Sequence, residues 1–402
     1  MHAGSCASIA RAPPVRPALE LADIVRAHGA AYRRAHALTP EQSAVLGDIV
    51  RCRTALLGGH VDVCPCGYRG DPAYNSCRNR HCPKCQGAAA RKWVEARVER
   101  VLPTHYFHVV FTLPSELREL AMRNRRIVFN LLFSAASATL LELGEDPKRL
   151  GARLGVTMVL HTWARDLAFH PHVHAIVTGG GLSLAGDGSE SWLALRDEYI
   201  FPVEVMGALF RGKFLAGLSK THAQGKLDLG AEPIDPEGFD RLLTRLYAKK
   251  WHLYAKRPFG GPEQVIKYLG RYTHRVGISN SRLESMDADG RVSFRTKNGH
   301  KVTLTADAFL GRLLQHVLPS GFVKIRHYGL LAPANVNTQL ATARELLVAA
   351  QTTTASSAAT ASDADVTAVA ETPRACPLCG RLGLTRVALA PTLSLAAPRG
   401  PP

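Results

Sequence analysis

At 402 residues with 46% hydrophobic side chains, the chain has room for two or three domains and a sizeable core, which excludes a single small disulfide-stapled module. Its 50 Lys and Arg against 33 Asp and Glu give a formal net charge of +17, an excess that favours a polyanionic partner such as nucleic acid. Much of it is local: residues 51–100 hold ten basic residues against four acids, and residues 241–282 hold ten against the single acid Glu263.

In chain order, the spacing predicts helices over 19–34 and 40–58, the second opened by Thr39 as N-cap and Pro40 at the first helical position. A cysteine-rich stretch follows, then a basic helix from Ala88 to about Val101 and a strand in HYFHVVFTLP at 105–114. A helical region near 116–143 contains the uncharged run Ile127–Leu141, which at 15 residues is too short to span a bilayer and reads as a buried helix. Further strands are expected in GVTMVLHTWA and in HPHVHAIVTGGGLS (170–183), the latter closed by its three glycines. Helices are expected at 203–222, at 236–252 and from Gly261-Pro262-Glu263, then two strands around a turn at Asp287–Gly290 and a helix near 305–318. Residues 350–372, low in aromatics and without an amphipathic period, read as an unstructured linker.

Nine cysteines, an odd number, together with an N-terminus lacking an apolar leader segment, point away from a disulfide framework. Between Cys64 and Cys85 the chain reads CPCGYRGDPAYNSCRNRHCPKC, which offers Cys64, Cys66, Cys77, His81, Cys82 and Cys85 at spacings that suit tetrahedral zinc. Cys52 and His60 lie close enough to support a second ion, so one or two zincs are expected. Cys376 and Cys379 form only half a site, either a vestige or a pair whose partners lie elsewhere. Arg78, Arg80 and Lys84 within the segment are candidates to offset the thiolates and to meet a phosphate backbone.

His170, His172 and His174 alternate along one strand, so their side chains share a face, and two of them can chelate a divalent ion if a third ligand arrives from a neighbouring element. Tyr268 and Tyr272, four apart on a helix, put two phenols on one face among Lys267, Arg271, His274 and Arg275. That is poor company for a hydrophobic core. A phenol has a free pKa near 10 and needs a cation to attack phosphorus as phenolate, and a divalent ion on His172 and His174 would polarise the phosphate. The product would be a 5′-phosphotyrosine and a free 3′-hydroxyl. Two tyrosines allow one to hold a cleaved strand while the other attacks a second phosphate. Lys256, Arg271 and Lys324 are further candidates for phosphate contacts.

HPHVHAIVTGGGL, YAKRPFGGPEQVIKYLGRYTHRVGISNSRL, YNSCRNRHCPKCQ and VKIRHYGLL, four motifs that together cover roughly residues 20–335 in matching order, resemble the IS91-type transposases of the HUH endonuclease class. The resemblance implies an α+β fold: an antiparallel sheet with flanking helices, its histidine strand central and its tyrosine helix alongside, preceded by a small Cys-rich zinc-binding domain. It implies Mg²⁺ or Mn²⁺ at His172 and His174, nucleophiles at Tyr268 and Tyr272, and single-stranded DNA with hairpin-containing element ends as substrate, in a bacterial cytoplasm close to the nucleoid. The expected organisation is a helical and zinc-binding part at 1–100, a catalytic part at 101–335, and an unstructured Ala/Thr-rich tail at 336–402. Two other readings compete: a zinc-containing DNA-binding protein without activity, and a metal-dependent hydrolase that uses water and forms no protein–DNA adduct.

Overall fold

The computed structural model describes residues 17–184, 189–196, 199–230, 236–259, 264–265, 270, 277–355 and 375–392. In chain order the helices among them are α1 (Leu21–Ala35), α2 (Pro40–Arg51), α3 (Gln86–Glu95), α4 (Arg118–Arg123), α5 (Arg125–Glu145), α6 (Val203–Ala223), α7 (Pro236–Ala248), α8 (Ala306–Leu314) and α9 (Gln339–Ala355). The strands are β1 (Gly59–Val63), β2 (Ala73–Tyr74), β3 (Tyr106–Thr112), β4 (Arg153–Trp163), β5 (Phe169–Leu184), β6 (Glu190–Ala194), β7 (Leu253–Phe259), β8 (Leu283–Met286), β9 (Arg291–Arg295), β10 (Lys301–Thr305), β11 (Ile325–Gly329) and β12 (Thr385–Leu389). The fold is α+β, with every strand pairing antiparallel.

The main sheet runs β11-β4-β5-β3-β7, with β6 paired to the far end of β5, so the histidine strand is central as expected. Alternation gives the sheet two unlike faces. Phe107, Val109, Phe111, Val156, Met158, Leu160, Val173, Ala175 and Val177 point to one side, where they form a single core with α5 and α6. Helix α5 has the length and mean hydropathy of a membrane span, but Phe129, Leu132, Phe133, Ala136 and Leu140 are buried in this core, and 61% of its apolar window is buried. The opposite face carries His108, His161, His172 and His174.

The triple glycine at 179–181 does not close β5. The strand continues to Leu184, and Gly180 pairs with Ala194 of β6. A Cβ at Gly180 would lie 2.5 Å from the Leu193 carbonyl oxygen and 2.7 Å from the Trp192 ring, so the glycines admit β6 against the strand.

A second core joins distant parts of the sequence. Leu21, Ile24, Val25 and Tyr32 of α1 and Val45, Leu46 and Ile49 of α2 pack with Val292, Phe294, Phe309 and Leu310. Thr39 is the N-cap of α2 as anticipated, and it forms a capping box: the Thr39 side chain accepts from the Gln42 amide at 3.3 Å and the Gln42 side chain accepts from the Thr39 amide at 3.0 Å. The Gln42 side-chain amide also donates to the Leu314 carbonyl at 3.1 Å, tying α2 to α8.

Three further differences from expectation have physical causes. β7 was not anticipated as a strand: its charged sequence is tolerated because it is the edge strand beside β3. β10 likewise carries no sequence mark of a core strand, since none of its residues is buried. Part of the expected tail is ordered, since α9 extends to Ala355 and β12 pairs with β1 over five residues; residues 356–374 lie outside the described residues.

Candidate active site and metal centres

Three histidines from two adjacent strands converge on the open face of the main sheet. In the β4–β5 ladder His161 is directly opposite His172, and Val159 is opposite His174. One ring nitrogen of each of His161, His172 and His174 lies within 4.8 Å of those of the others, with His161 buried and the other two half-buried. His161, which sequence reading did not single out, is thus placed where it could supply a third ligand to an ion held by His172 and His174.

The ring orientations are fixed from behind. His172 donates from Nδ1 to the His170 carbonyl at 2.7 Å, which leaves Nε2 as the lone-pair nitrogen. His170 thus acts through its backbone and is not part of the triad. His174 Nδ1 is 2.8 Å from Nε2 of His108, a buried residue on β3. Burial pulls His172 down to about 4, and burial together with Lys256 pulls His108 to about 4. Neutral imidazoles are the form that ligates a metal. Among the described residues the group is three imidazoles without a carboxylate, a donor set that can hold a divalent metal ion.

Around the triad, Lys256 on β7 is opposite His108 and exposed. On the same face Ile176, two residues beyond His174, packs with Tyr106 and with the buried Val265. Tyr268, Tyr272, Lys267, Arg271 and Arg275 lie outside the described residues.

The cysteines separate into two tetrads. Cys52, Cys77, Cys82 and Cys85 form one, and Cys64, Cys66, Cys376 and Cys379 the other, each with all four Sγ atoms within 4.8 Å of one another. In the first, Cys52 and Cys85 are 3.4 Å apart and Cys77 and Cys85 are 3.6 Å apart. Four thiolates about 2.3 Å from one zinc ion would stand about 3.8 Å apart, so the donor set fits zinc. Burial and the neighbouring thiols push Cys77 up to about 12 and Cys82 still higher, a cost that a cation bound among the sulfurs would offset.

This corrects the expected apportioning of ligands. Cys64 and Cys66 do not join Cys77, Cys82 and Cys85, because β1 and the turn after it carry them to the other tetrad. Cys52, at the C-cap of α2, takes their place in the first tetrad. His60 and His81 belong to neither. His60 is in the β1 ladder opposite Ala73 and Ala388, and His81 is held at about 3 by burial and by Lys324, Arg80 and His316.

The first tetrad borders a groove of about 920 Å³ lined by Arg78, Arg80, Lys92, Trp93, Arg97 and Lys324. Its wall also includes Ile325, which is opposite Val159, itself opposite His174. At about 4.8 Å per strand, the groove opens roughly 10 Å from the histidine strand. Arg80 also donates to the Phe322 carbonyl at 2.9 Å. Lys84 does not line the groove: its ammonium pairs with Glu20 at 2.5 Å.

Two family models match the chain: one described as "Transposase zinc-binding domain" over residues 24–113 and one described as "Putative transposase" over residues 155–339. Among curated relatives, "Putative transposase y4qJ" of Sinorhizobium fredii is 46% identical over 339 residues, covering 82% of this chain and 84% of that one. The "Transposase for insertion sequence element IS801" of Pseudomonas savastanoi pv. phaseolicola is 30% identical over 296 residues, covering 71% of this chain and 68% of that one. Structures of the conjugative relaxase TrwC in complex with oriT DNA, metal-free and metal-bound, align at 15% and 14% identity over 43% and 44% of this chain and 74% and 73% of theirs, with TM-scores of 0.23 and 0.24. A half-identical relative spanning most of both chains and a zinc-binding model at the cysteines agree with the resemblance carried by the motifs: the chain belongs to the IS91-type transposase family.

Proposed function

We propose that this transposase nicks and rejoins single-stranded DNA through Tyr268 and Tyr272. The observation that carries the reading is the position of Val265, buried against Tyr106 and Ile176 on the histidine face of the sheet. Tyr268 follows Val265 by three residues in sequence, and three residues of chain span at most about 11 Å. His161, His172 and His174 would hold the ion, and when bound a divalent cation supplies positive charge to a non-bridging phosphate oxygen.

The remaining work falls to the chain. The phenol oxygen of one tyrosine attacks phosphorus and gives up its proton, the bond from phosphorus to the 3′ oxygen breaks, and that oxygen takes up a proton to leave as a 3′-hydroxyl. The 5′ end stays on the enzyme as a phosphotyrosine, which conserves the bond energy for rejoining. The second tyrosine can then attack another phosphate. Lys256 adds positive charge beside the triad. For His174 to present Nε2 to a cation it must carry its proton on Nδ1, and His108 Nε2 accepts that proton's hydrogen bond. Arg78, Arg80, Lys92, Arg97 and Lys324 neutralise the backbone of a strand in the groove, and Trp93 offers a face for a base.

The polarity of the products tests this reading. With Mn²⁺ and a single-stranded element end, the released fragment should carry a 3′-hydroxyl that a polymerase extends, and the other fragment should have a 5′ end blocked by protein. A free 5′-phosphate would instead assign the chain to the hydrolases.

A further inference from the structure

We propose that Cys64, Cys66, Cys376 and Cys379 form a second zinc site, which fastens the carboxy-terminal segment to the amino-terminal module. The two halves are 310 or more residues apart in sequence. Yet Cys64 Sγ is 3.7 Å from Cys379 Sγ, and Cys66 Sγ is 3.7 Å from Cys376 Sγ. Those separations match the roughly 3.8 Å edge of a tetrahedral zinc–thiolate site. Cys376 and Cys379 lie beyond both matched family regions, 24–113 and 155–339.

Each half is built in the same way. In the first, the Gly67 amide donates to the Cys64 carbonyl at 3.0 Å and the Cys64 amide to the Tyr68 carbonyl at 2.9 Å, closed by a β-bridge between Val63 and Arg69. In the second, the Gly380 amide donates to the Cys376 carbonyl at 2.9 Å and the Cys376 amide to the Arg381 carbonyl at 2.8 Å, closed by a bridge between Ala375 and Leu382. Gly67 and Gly380 have φ of 93° and 72°, the left-handed geometry that lets each chain turn back sharply after its cysteines. Two matching turns that present four sulfurs to a common point are the arrangement of a zinc ribbon, here assembled from both ends of the chain.

The rest of the contact is mostly backbone pairing, extended beyond the ladder by the Thr392 amide donating to the Ala55 carbonyl at 3.0 Å. β12 pairs with β1 from Thr385 to Leu389, but its first four residues are exposed and only Leu389 is half-buried. The ion pair between Arg386 and Asp62, at 3.3 Å, is partly exposed and contributes little. A strand with so little apolar burial needs a further link, and a structural metal supplies one. The two sites also differ in access. Cys52, Cys82 and Cys85 are buried in the second core, whereas Cys66 and Cys379 are exposed. The second ion should therefore be released first.

Elemental analysis of the purified full-length protein tests the proposal and does not depend on DNA cleavage. Two zinc ions per chain are expected, falling to one in a Cys376→Ser, Cys379→Ser variant and to one in a Cys64→Ser, Cys66→Ser variant. On the unaltered protein, a chromogenic chelator should remove zinc in two phases of equal amplitude. With a protease site inserted between residues 355 and 375, the cut carboxy-terminal fragment should co-elute with the body until the fast phase is complete and separate after it. One zinc per chain in the unaltered protein, two in either variant, or a fragment that separates with both ions bound would overturn the proposal.

Discussion

His161 and His172 face each other across the β4–β5 ladder, and this register places a third imidazole beside the two that alternate along β5. The two strands are joined by a short turn in which the Ala164 amide donates to the Ala168 carbonyl at 2.8 Å. Register and triad are thus set by one local connection. Because ring orientation alone commonly changes metal affinity 10- to 100-fold, loss of a ligand should cost more. A His161→Ala variant should lose roughly 100-fold or more of its Mn²⁺-dependent cleavage and keep its zinc content. Single-turnover cleavage at a fixed Mn²⁺ concentration well below saturation of the unaltered protein measures this, and a loss below tenfold would remove His161 from the site.

Trp93 lines the cationic groove, with the Arg97 guanidinium carbon 5.2 Å from its ring centroid. Stacking of one base on an aromatic ring contributes about 1–3 kcal/mol. A Trp93→Ala variant should bind a short single-stranded oligonucleotide roughly 5- to 100-fold more weakly by fluorescence anisotropy, and Trp93→Phe should recover most of the loss. Unchanged affinity in the alanine variant would mean that the strand takes another path.

Burial, reinforced by the neighbouring Arg80, draws Lys324 down to about 8. A lysine whose pKa is lowered in the folded protein is charged below that value and loses its cation as pH rises through it. A bound phosphate favours the charged form and moves the midpoint upward. Affinity for single strands should therefore fall as pH rises from 8 toward 10. A Lys324→Arg variant, charged throughout, should show a flatter profile. Identical profiles for the two proteins would place Lys324 outside the contact.

What the sequence discloses here depends on how local each feature is. His172 and His174 are legible because the two-residue repeat of a strand puts them on one face without reference to anything else. His161 is as local to its own strand, but its role depends on a register that, counted from the turn, passes through an irregularity between Trp163 and His161. The cysteines mislead for the opposite reason. Six potential ligands within one segment look self-sufficient, and nothing in the spacing announces that β12 returns to β1 and brings Cys376 and Cys379 to Cys64 and Cys66. The three apolar strands β3, β4 and β5 are legible from their own residues, whereas the charged edge strand β7 carries no such mark. The charge of Lys84 suits a DNA contact, but its ion-pair partner Glu20 is 64 residues away in sequence, where no local pattern shows it.

The central claim is that the tyrosine pair attacks DNA beside the histidine triad. Incubating the full-length protein with Mn²⁺ and an end-labelled single-stranded element end, followed by denaturing electrophoresis, tests it most directly. The account predicts a labelled protein–DNA adduct that survives denaturation and disappears in a Tyr268→Phe, Tyr272→Phe double variant whose oligonucleotide affinity is retained. An adduct that persists in the double variant, or cleavage by the unaltered protein with no adduct at all, would contradict it.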